Sequence, residues 1–319
     1  MLDKVKLISD EISARSSVIK EAARKLKESG AATIYKSTKI KLDLSVASTD
    51  GGVISSRMHG VDMVLFRSVG VCFTYLNSSL ASFSYFPEKY PPSQLECATS
   101  LDEHEALVFK SLLRLKSELS IAIETIERFL PHVFLFDGSL LPLPNDRPNK
   151  ESKIYPLYLE VISLYSKLFS LSTEKKCLLC GVIKDSRSNR LAKSHSIDSS
   201  DTVLCNFLLQ EGERTADLSY GEADKQIEGY QNVRFFYIKP SKNDLPLRIE
   251  YLSSEEITIE TVSSLLYSLS SINDSFGYPA ILVEADMCAA MDGKEMEHIL
   301  QSLRSNEISD LRRNSRPFR

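Results

Sequence analysis

The chain has 319 residues, of which 43% are hydrophobic and 26% are charged, and its formal net charge is −4 at pH 7. These values are typical of a globular protein with a sizeable core, and they argue against a large basic surface while leaving room for a local basic patch. No apolar run approaches membrane-spanning length and the charged start, MLDKVK, lacks the apolar core of a signal peptide, so we expect a cytoplasmic protein.

The first part of the chain predicts one helix followed by three strands. Apolar residues recur at three- and four-residue steps over residues 3–29, which indicates an amphipathic helix. Residues 42–47 alternate apolar and polar side chains and predict a strand that ends at Asp50, before two glycines. Residues 61–76 and 81–86 are apolar and β-branched, and we expect two strands in antiparallel hairpin order.

A long helix and a short buried strand come next. Residues 100–103 (SLDE) indicate a capping box that opens the helix, and Glu118 lies next to its apolar stripe. Residues 133–136 (VFLF) predict a strand buried on both faces, which ends at Asp137. Because a buried carboxylate is costly unless it is paired, Asp137 either begins a turn or belongs to a site.

Helices and strands alternate in the second half of the chain. A polar and basic loop is expected at residues 184–190, a polar surface excursion at 212–229, and a flexible basic tail at 305–319. The predicted elements are helices at 155–171, 201–209, 254–269 and from 277 onward, and strands at 177–183, 233–238 and 247–251.

Four carboxylates occupy matching places in this order of elements, namely Asp50 and Asp137 on strands and Glu118 and Asp286 on helices. The order predicts an RNase H-like α/β fold, with a mixed sheet flanked by helices, an N-terminal helix and a C-terminal helical extension. Two divalent ions about 4 Å apart can activate the attacking water and neutralise charge on both the attacking and the leaving oxygen in phosphodiester hydrolysis. Such hard ions prefer carboxylate oxygen, and without metal the carboxylates would raise one another's pKa. The order therefore predicts a two-metal site.

Four segments together resemble the NurA family of DNA-end-processing nucleases. They are DGG at 50–52, DGSL at 137–140, LCGVIKDS at 179–186 and GYPAILVEA at 277–285. The resemblance runs over residues 42–291 with the segments in the family's order.

With no internal repeat and no dividing linker, we expect a single domain over residues 1–319. Its parts are an N-terminal helix at 1–30, an RNase H-like core at 42–291 and the flexible tail at 305–319.

The resemblance implies roles for individual residues. Lys184, with Ser186 and Arg187 in the same loop, would face DNA, and a solvated loop lysine is the alternative. Tyr158 is preferred over Tyr155 or Tyr165 as the site tyrosine, although helix tyrosines are commonly just packed. The implied ligands of two Mn²⁺ or Mg²⁺ ions are Asp50, Glu118, Asp137 and Asp286.

The chain departs from the family at two positions. Asp286 stands where the family usually has His, so a hard cation can still be ligated, but an imidazole able to donate a proton near neutral pH is lost. Gly52 stands where Ser is common, which we judge a small change. The metal preference and pH dependence of the family therefore do not carry over to this chain from the resemblance.

The resemblance implies a 5′-to-3′ exonuclease and single-strand endonuclease that acts in resection of DNA double-strand-break ends. It further implies a homodimer whose central channel stacks on a HerA-type hexameric ATPase. The alternative is a catalytically silent RNase H-like protein that serves as a DNA-binding or assembly subunit. An unrelated α/β enzyme is disfavoured because the sequence has no P-loop, GxGxxG, GxSxG or HExxH motif.

Overall fold

The computed structural model describes residues 2–58, 61–220, 226–271 and 273–304. Within these ranges one mixed sheet runs through the molecule and carries helices on both faces. None of the helices in the described ranges is long and apolar enough to cross a membrane. The tail predicted at 305–319 lies outside the described residues.

Among the residues that the structure describes, the sheet contains eleven strands. They are β1 (Ile34–Lys36), β2 (Leu44–Met58), β3 (Val61–Leu76), β4 (Ser79–Phe86), β5 (Gln94–Thr99), β6 (Val133–Asp137), β7 (Leu178–Ile183), β8 (Glu213–Thr215), β9 (Leu218–Ser219), β10 (Val233–Ile238) and β11 (Leu247–Leu252). Their order is β1-β8-β10-β11-β7-β6-β2-β3-β4, with β5 paired to β3 and β9 paired to β10. The central pairs β2–β6 and β6–β7 are parallel, and the flanking pairs are antiparallel. The expected mixed sheet is confirmed.

The helices are α1 (Leu2–Ser29), α2 (Glu103–Phe129), α3 (Tyr155–Glu174), α4 (Arg190–Ser194), α5 (Asp201–Leu208), α6 (Ile259–Ser270), α7 (Ala280–Ala289) and α8 (Gly293–Arg304). Helices α2 and α3 bury their apolar stripes against one face of the central strands. Helices α6 and α7 cover the opposite face. The central strands are therefore buried on both faces, as their continuous apolar sequences predict.

Alternation along the central strands determines which helix each side chain meets. Phe134 and Phe136 of β6 belong to the core beneath α2 and α3. Val133 and Leu135 of the same strand belong to the core beneath α7. Asp137, next in this alternation, therefore lies on the α7 face.

Strand β2 is longer than the sequence predicted, and its end was placed wrongly. Asp50 was expected at a strand end, but β2 continues to Met58 because β3 pairs with it residue by residue along its whole length. Gly51 and Gly52 are strand residues and do not form a turn. Asp50 consequently lies in the middle of a strand, beside the shorter neighbour β6.

Two helix starts were also misplaced. The N-cap of α2 is Asp102, whose Oδ1 accepts the backbone N–H of Glu105 at 2.7 Å, so the capping box begins two residues after Ser100. Helix α6 begins at Ile259 and not at residue 254, because the hydroxyl of Thr258 caps its first turn. In both cases a polar residue nearer the apolar stripe provides the cap.

The prediction of a polar surface excursion at residues 212–229 was wrong for its first half. Strands β8 and β9 lie there and pair with β10. Arg214 is only 3% exposed, because its guanidinium contacts Glu260 at 2.9 Å, the carbonyl of Thr215 at 3.0 Å and the ring of Tyr35. A buried charge is tolerated in a strand when it has enough ion-pair and hydrogen-bond partners. The polar sequence of this segment therefore did not rule out a strand.

Candidate metal-binding active site

Asp50 and Asp137 lie side by side on parallel neighbouring strands. The last paired residues of β2 and β6 are Thr49 and Phe136, so each aspartate follows its pair by one residue. Strand β6 ends at Asp137 while β2 continues. Both side chains project to the α7 face, and β2 continues beyond the end of β6.

Helix α7 brings a third carboxylate to the same face. Its buried residues pack on the sheet, and Asp286 lies on its exposed flank. Burial raises the pKa of Asp50 to about 6, against the lowering effect of the Gly51 N–H, which donates to Oδ1 at 2.8 Å. The charges of Asp137 and Asp286 raise the pKa of Asp50 further, which places all three acids within electrostatic reach of one another.

Glu118 approaches from the opposite face of the sheet. It is only 3% exposed on α2 and meets β2 at Gly51, where an added Cβ would lie 2.7 Å from Glu118 Cγ and 2.8 Å from its Oε1. Burial raises the pKa of Glu118 to about 8. The Arg114 guanidinium, 2.7 Å from Oε1, opposes this rise, whereas the charges of Asp50 and Asp137 add to it. Glu118 thus joins the other acids across the space that a glycine provides.

Asp137 has two close partners that the sequence did not single out as a pair. The Tyr278 hydroxyl donates to Oδ1 at 2.7 Å, and Lys184 Nζ lies 3.3 Å from Oδ2. Lys184 Nζ also lies 4.2 Å from the centre of the Tyr278 ring. Tyr278 is 3% exposed, while the side chain of Lys184 is 50% exposed. The lysine is therefore held beside the carboxylates and remains accessible from solvent.

The donor set fits a hard divalent cation, although the side chains are not yet arranged around one. Within the described ranges no group of three or more His, Cys, Asp or Glu side chains is placed to hold a metal ion directly. Arg114 and Lys184 contact oxygens that a cation would use. Burial and mutual repulsion nevertheless raise the pKa of Asp50 and of Glu118, and a cation would relieve both effects.

The loop after β7 separates the three residues predicted to face DNA. Arg187, like Lys184, is exposed. Ser186 is buried, its hydroxyl accepts the Ser188 N–H at 3.3 Å, and its carbonyl accepts the Thr202 hydroxyl at 3.0 Å. Contact of each residue with DNA stays a prediction, and the buried position of Ser186 suits support of the loop.

Tyr158 and Tyr165 of α3 are buried on the α2 side, and Tyr155 is partly buried there. Tyr158 is 1% exposed, and its ring lies 5.9 Å from that of Tyr155. Tyr165 is also buried, and its phenol interacts electrostatically with Glu118, with burial as the main cause of its raised pKa. A catalytic role for Tyr158 stays a prediction, and the Tyr165 phenol also lies within electrostatic range of Glu118.

Sequence reasoning missed the parts of the site that only packing creates. Tyr278 lay within the quoted GYP segment, and Arg114 is one helical turn before Glu118, so both carried a weak signal. Arg248 and Glu250 alternate with apolar residues in the buried strand β11, which signals a charge pair on one face. No local signal linked Gly51 to Glu118.

Fold and site together define a class of protein: an RNase H-like α/β protein with carboxylates gathered where a central parallel strand ends. The NurA domain model matches residues 44–291, more than three quarters of the chain. The chain belongs to the NurA family. This is a nuclease family, and membership supports a DNA nuclease. No curated protein matches the chain by sequence.

Solved NurA structures share the fold. The NurA nuclease from Sulfolobus solfataricus matches with a TM-score of 0.68 at 17% identity, over 100% of this chain and 98% of that chain. NurA bound to dAMP and manganese matches with a TM-score of 0.65 at 11% identity, over 96% and 97% of the two chains. NurA with manganese matches with a TM-score of 0.62 at 12% identity, over 95% and 98%. The expected fold is confirmed, and two of these structures hold manganese.

Proposed function

We propose that the chain is a two-metal deoxyribonuclease whose Mn²⁺ or Mg²⁺ ions are held by Asp50, Glu118, Asp137 and Asp286. The observation that carries the proposal is the position of Asp50 and Asp137 side by side where β6 ends, on the face of the sheet that α7 covers and to which it brings Asp286. Such a cluster is costly as it stands and becomes favourable around cations. The manganese in related structures supports the same choice of ion.

The residues divide the work between holding metal and holding the substrate. Bound divalent ions would activate water and neutralise charge on the phosphate. Lys184 pairs with Asp137 and is half exposed, so it would be placed to contact a DNA phosphate beside the carboxylates. Tyr278 would keep Asp137 oriented, because its hydroxyl donates to Oδ1 from a buried position. Proton donation near pH 7 would not come from position 286, where Asp replaces the usual His.

Family resemblance supports the finer part of the proposal. The chain would act as a 5′-to-3′ exonuclease and single-strand endonuclease in end resection. It would do so as a homodimer stacked on a HerA-type hexameric ATPase that delivers DNA. A net charge of −4 suits a nuclease that relies on such a partner for DNA binding.

The test is cleavage of 5′- and 3′-labelled single- and double-stranded DNA with Mn²⁺, Mg²⁺ or EDTA. We expect metal-dependent cleavage by the wild type that is lost in Asp137→Ala and kept in Asp198→Ala, whose carboxylate is fully exposed beside Arg15. Label position reports polarity, and sedimentation with and without a HerA-type ATPase reports assembly. DNA binding without cleavage, even with that ATPase and ATP, would instead support the silent subunit.

A further inference from the structure

Beside the site lies a buried carboxylate that is not among the metal ligands. Glu250 on β11 is 0% exposed, and its two oxygens serve separate partners. Oε2 accepts the Ser139 hydroxyl at 2.9 Å and the Leu140 backbone N–H at 2.8 Å. Oε1 accepts the Tyr220 hydroxyl and lies 3.1 Å from Arg248 Nη2. A strand two places away from β6 is thus bonded to the turn that follows Asp137.

That turn is fixed against the sheet at two points. The Gly138 N–H donates to the Val182 carbonyl at 3.1 Å. An added Cβ at Gly181 would lie 2.5 Å from the Gly138 carbonyl, so the turn lies directly on β7. Gly181 is the cross-strand partner of Glu250, and Glu250 therefore holds the far end of the turn. With both ends fixed, the backbone that orients Asp137 has little freedom.

The other side of Glu250 leads to the loop that carries Lys184. Arg248 donates to the Tyr220 hydroxyl and interacts with the hydroxyl of Tyr237. The Tyr237 hydroxyl donates to Asp201 Oδ2 at 2.8 Å. Asp201 is 0% exposed and also accepts the Ser188 hydroxyl and the Ala192 N–H, at 2.8 and 2.9 Å. A series of polar contacts, in which Arg248 and Tyr237 are linked electrostatically, therefore joins the turn after Asp137 to the loop after Lys184.

A buried ion pair is a poor way to stabilise a strand, since apolar residues of similar volume often stabilise a core equally well or better. The value of this pair therefore lies in the geometry that it fixes rather than in stability. We propose that Glu250 is a positioning residue: it fixes the turn after Asp137 and, through Arg248 and Tyr237, ties it to the loop of Lys184. The inference rests on the proposed function, because it concerns how a metal ligand and a phosphate contact are kept in register.

The matched pair of variants is Glu250→Gln and Glu260→Gln. Glu260 pairs with Arg214, which is 3% exposed, so each substitution removes the carboxylate partner of a buried arginine. Well below the unfolding temperature, we expect Mn²⁺ affinity by titration calorimetry to fall about tenfold or more in Glu250→Gln. We expect the Mn²⁺ affinity of Glu260→Gln to stay within about twofold of wild type, because Glu260 lies on α6 and pairs with Arg214 rather than with the turn after Asp137.

Hydrogen exchange of the metal-free protein provides a readout independent of cleavage. We expect the Leu140 amide and residues 184–192 to exchange faster in Glu250→Gln than in wild type, and to be unchanged in Glu260→Gln. If Glu250→Gln does not fold, Ser139→Ala removes one bond to Glu250 and should weaken Mn²⁺ binding about threefold.

If wild type and all the variants cleave DNA, and their hydrogen exchange and Mn²⁺ affinity are equal, the positioning role of Glu250 is overturned and the proposed function is not. A wild type that neither binds Mn²⁺ nor cleaves DNA would overturn the proposed function, and the positioning role with it.

Discussion

Glu118 and Glu250 are both buried on the side of the sheet that α2 and α3 cover, yet their surroundings differ. Within the described ranges Glu118 is paired with Arg114, and burial raises its pKa to about 8. Glu250 receives donors from four residues, which are Ser139, Leu140, Tyr220 and Arg248. One acid is satisfied by the protein, and the other is compensated only in part.

The difference separates two uses of a buried carboxylate. A fully bonded acid holds the structure around it, because each lost partner would leave a buried polar group unpaired. An acid with a raised pKa and other acids nearby is unfavourable in its ionised form, and a nearby positive charge would stabilise it. Asp50, with a pKa of about 6, is in the same situation. Under the proposed function, the acids expected to bind a cation are those with raised pKa values, and Glu250 is expected to hold the structure.

The largest expected effect is loss of cleavage in Glu118→Gln. The amide keeps the shape of the side chain but is a poorer ligand for a hard cation, so we expect Mn²⁺-dependent cleavage to fall at least about 100-fold. Near neutral pH the free energy of unfolding without metal should change by less than about 1 kcal/mol, because a carboxyl group with a pKa of about 8 is mostly protonated there and a neutral amide replaces it. Single-turnover cleavage and chemical denaturation measure the two effects.

Glu250→Gln should show the reverse balance in the same assays, losing about 2–3 kcal/mol of unfolding free energy with a smaller loss of cleavage. If Glu118→Gln instead lost several kcal/mol and kept its cleavage rate, Glu118 would be a structural acid like Glu250. The contrast between the two glutamates would then be wrong.

Gly51 offers a second way to separate the two glutamates, because it touches Glu118. A Cβ there would lie 2.7 Å from Glu118 Cγ and 2.8 Å from Ser68 Oγ. We expect Gly51→Ala to displace Glu118 and weaken Mn²⁺ binding about tenfold. Gly293→Ala is the matched control, since nothing lies within 4 Å of its added Cβ. Equal Mn²⁺ affinity in both variants would remove Glu118 from the site.

Much of this contrast could not be read from the sequence, although most of the fold could. Apolar periodicity located β3, β6 and α2 because burial imposes those patterns directly. It could not show that β2 runs past Asp50, since the extra length comes from pairing with β3. Nor could it show which acids share partners: Glu250 and Ser139 are 111 residues apart and meet only through the sheet. Carboxylate positions were predictable, but their electrostatic surroundings were not.

Stability of the metal-free protein should fall as pH rises from about 5 to 8. An acid whose pKa is higher in the folded state than in the unfolded state holds its proton longer when folded, so stability is lost as pH rises through the folded value. Asp50 at about 6 and Glu118 at about 8 have raised values, whereas unfolded acids titrate near 4. We expect the melting temperature in EDTA to drop by roughly 3–6 °C over this range.

Two controls accompany this pH series. The double variant Asp50→Asn with Glu118→Gln should flatten the dependence, because neither side chain then titrates. Saturating Mn²⁺ should reverse it, because metal binds the deprotonated ligands. A wild-type melting temperature in EDTA that is constant or rises from pH 5 to 8 would show that these acids are ionised without strain.

The smallest expected effect is at Tyr278, whose hydroxyl donates to Asp137. The Asp137 carboxylate raises the pKa of Glu118, and Glu250 holds the turn that follows Asp137. Tyr278→Phe removes the donor to Asp137 but keeps the ring 4.2 Å from Lys184 Nζ. We expect Mn²⁺ affinity to fall about threefold to tenfold while DNA affinity stays within about twofold. Tyr278→Leu also removes the cation–π contact, worth about 0.5–1 kcal/mol at an accessible site, so DNA affinity should fall a further two- to fivefold. If both variants weakened DNA binding equally, the ring would have no separate role in holding Lys184, and the hydroxyl on Asp137 would account for the whole effect.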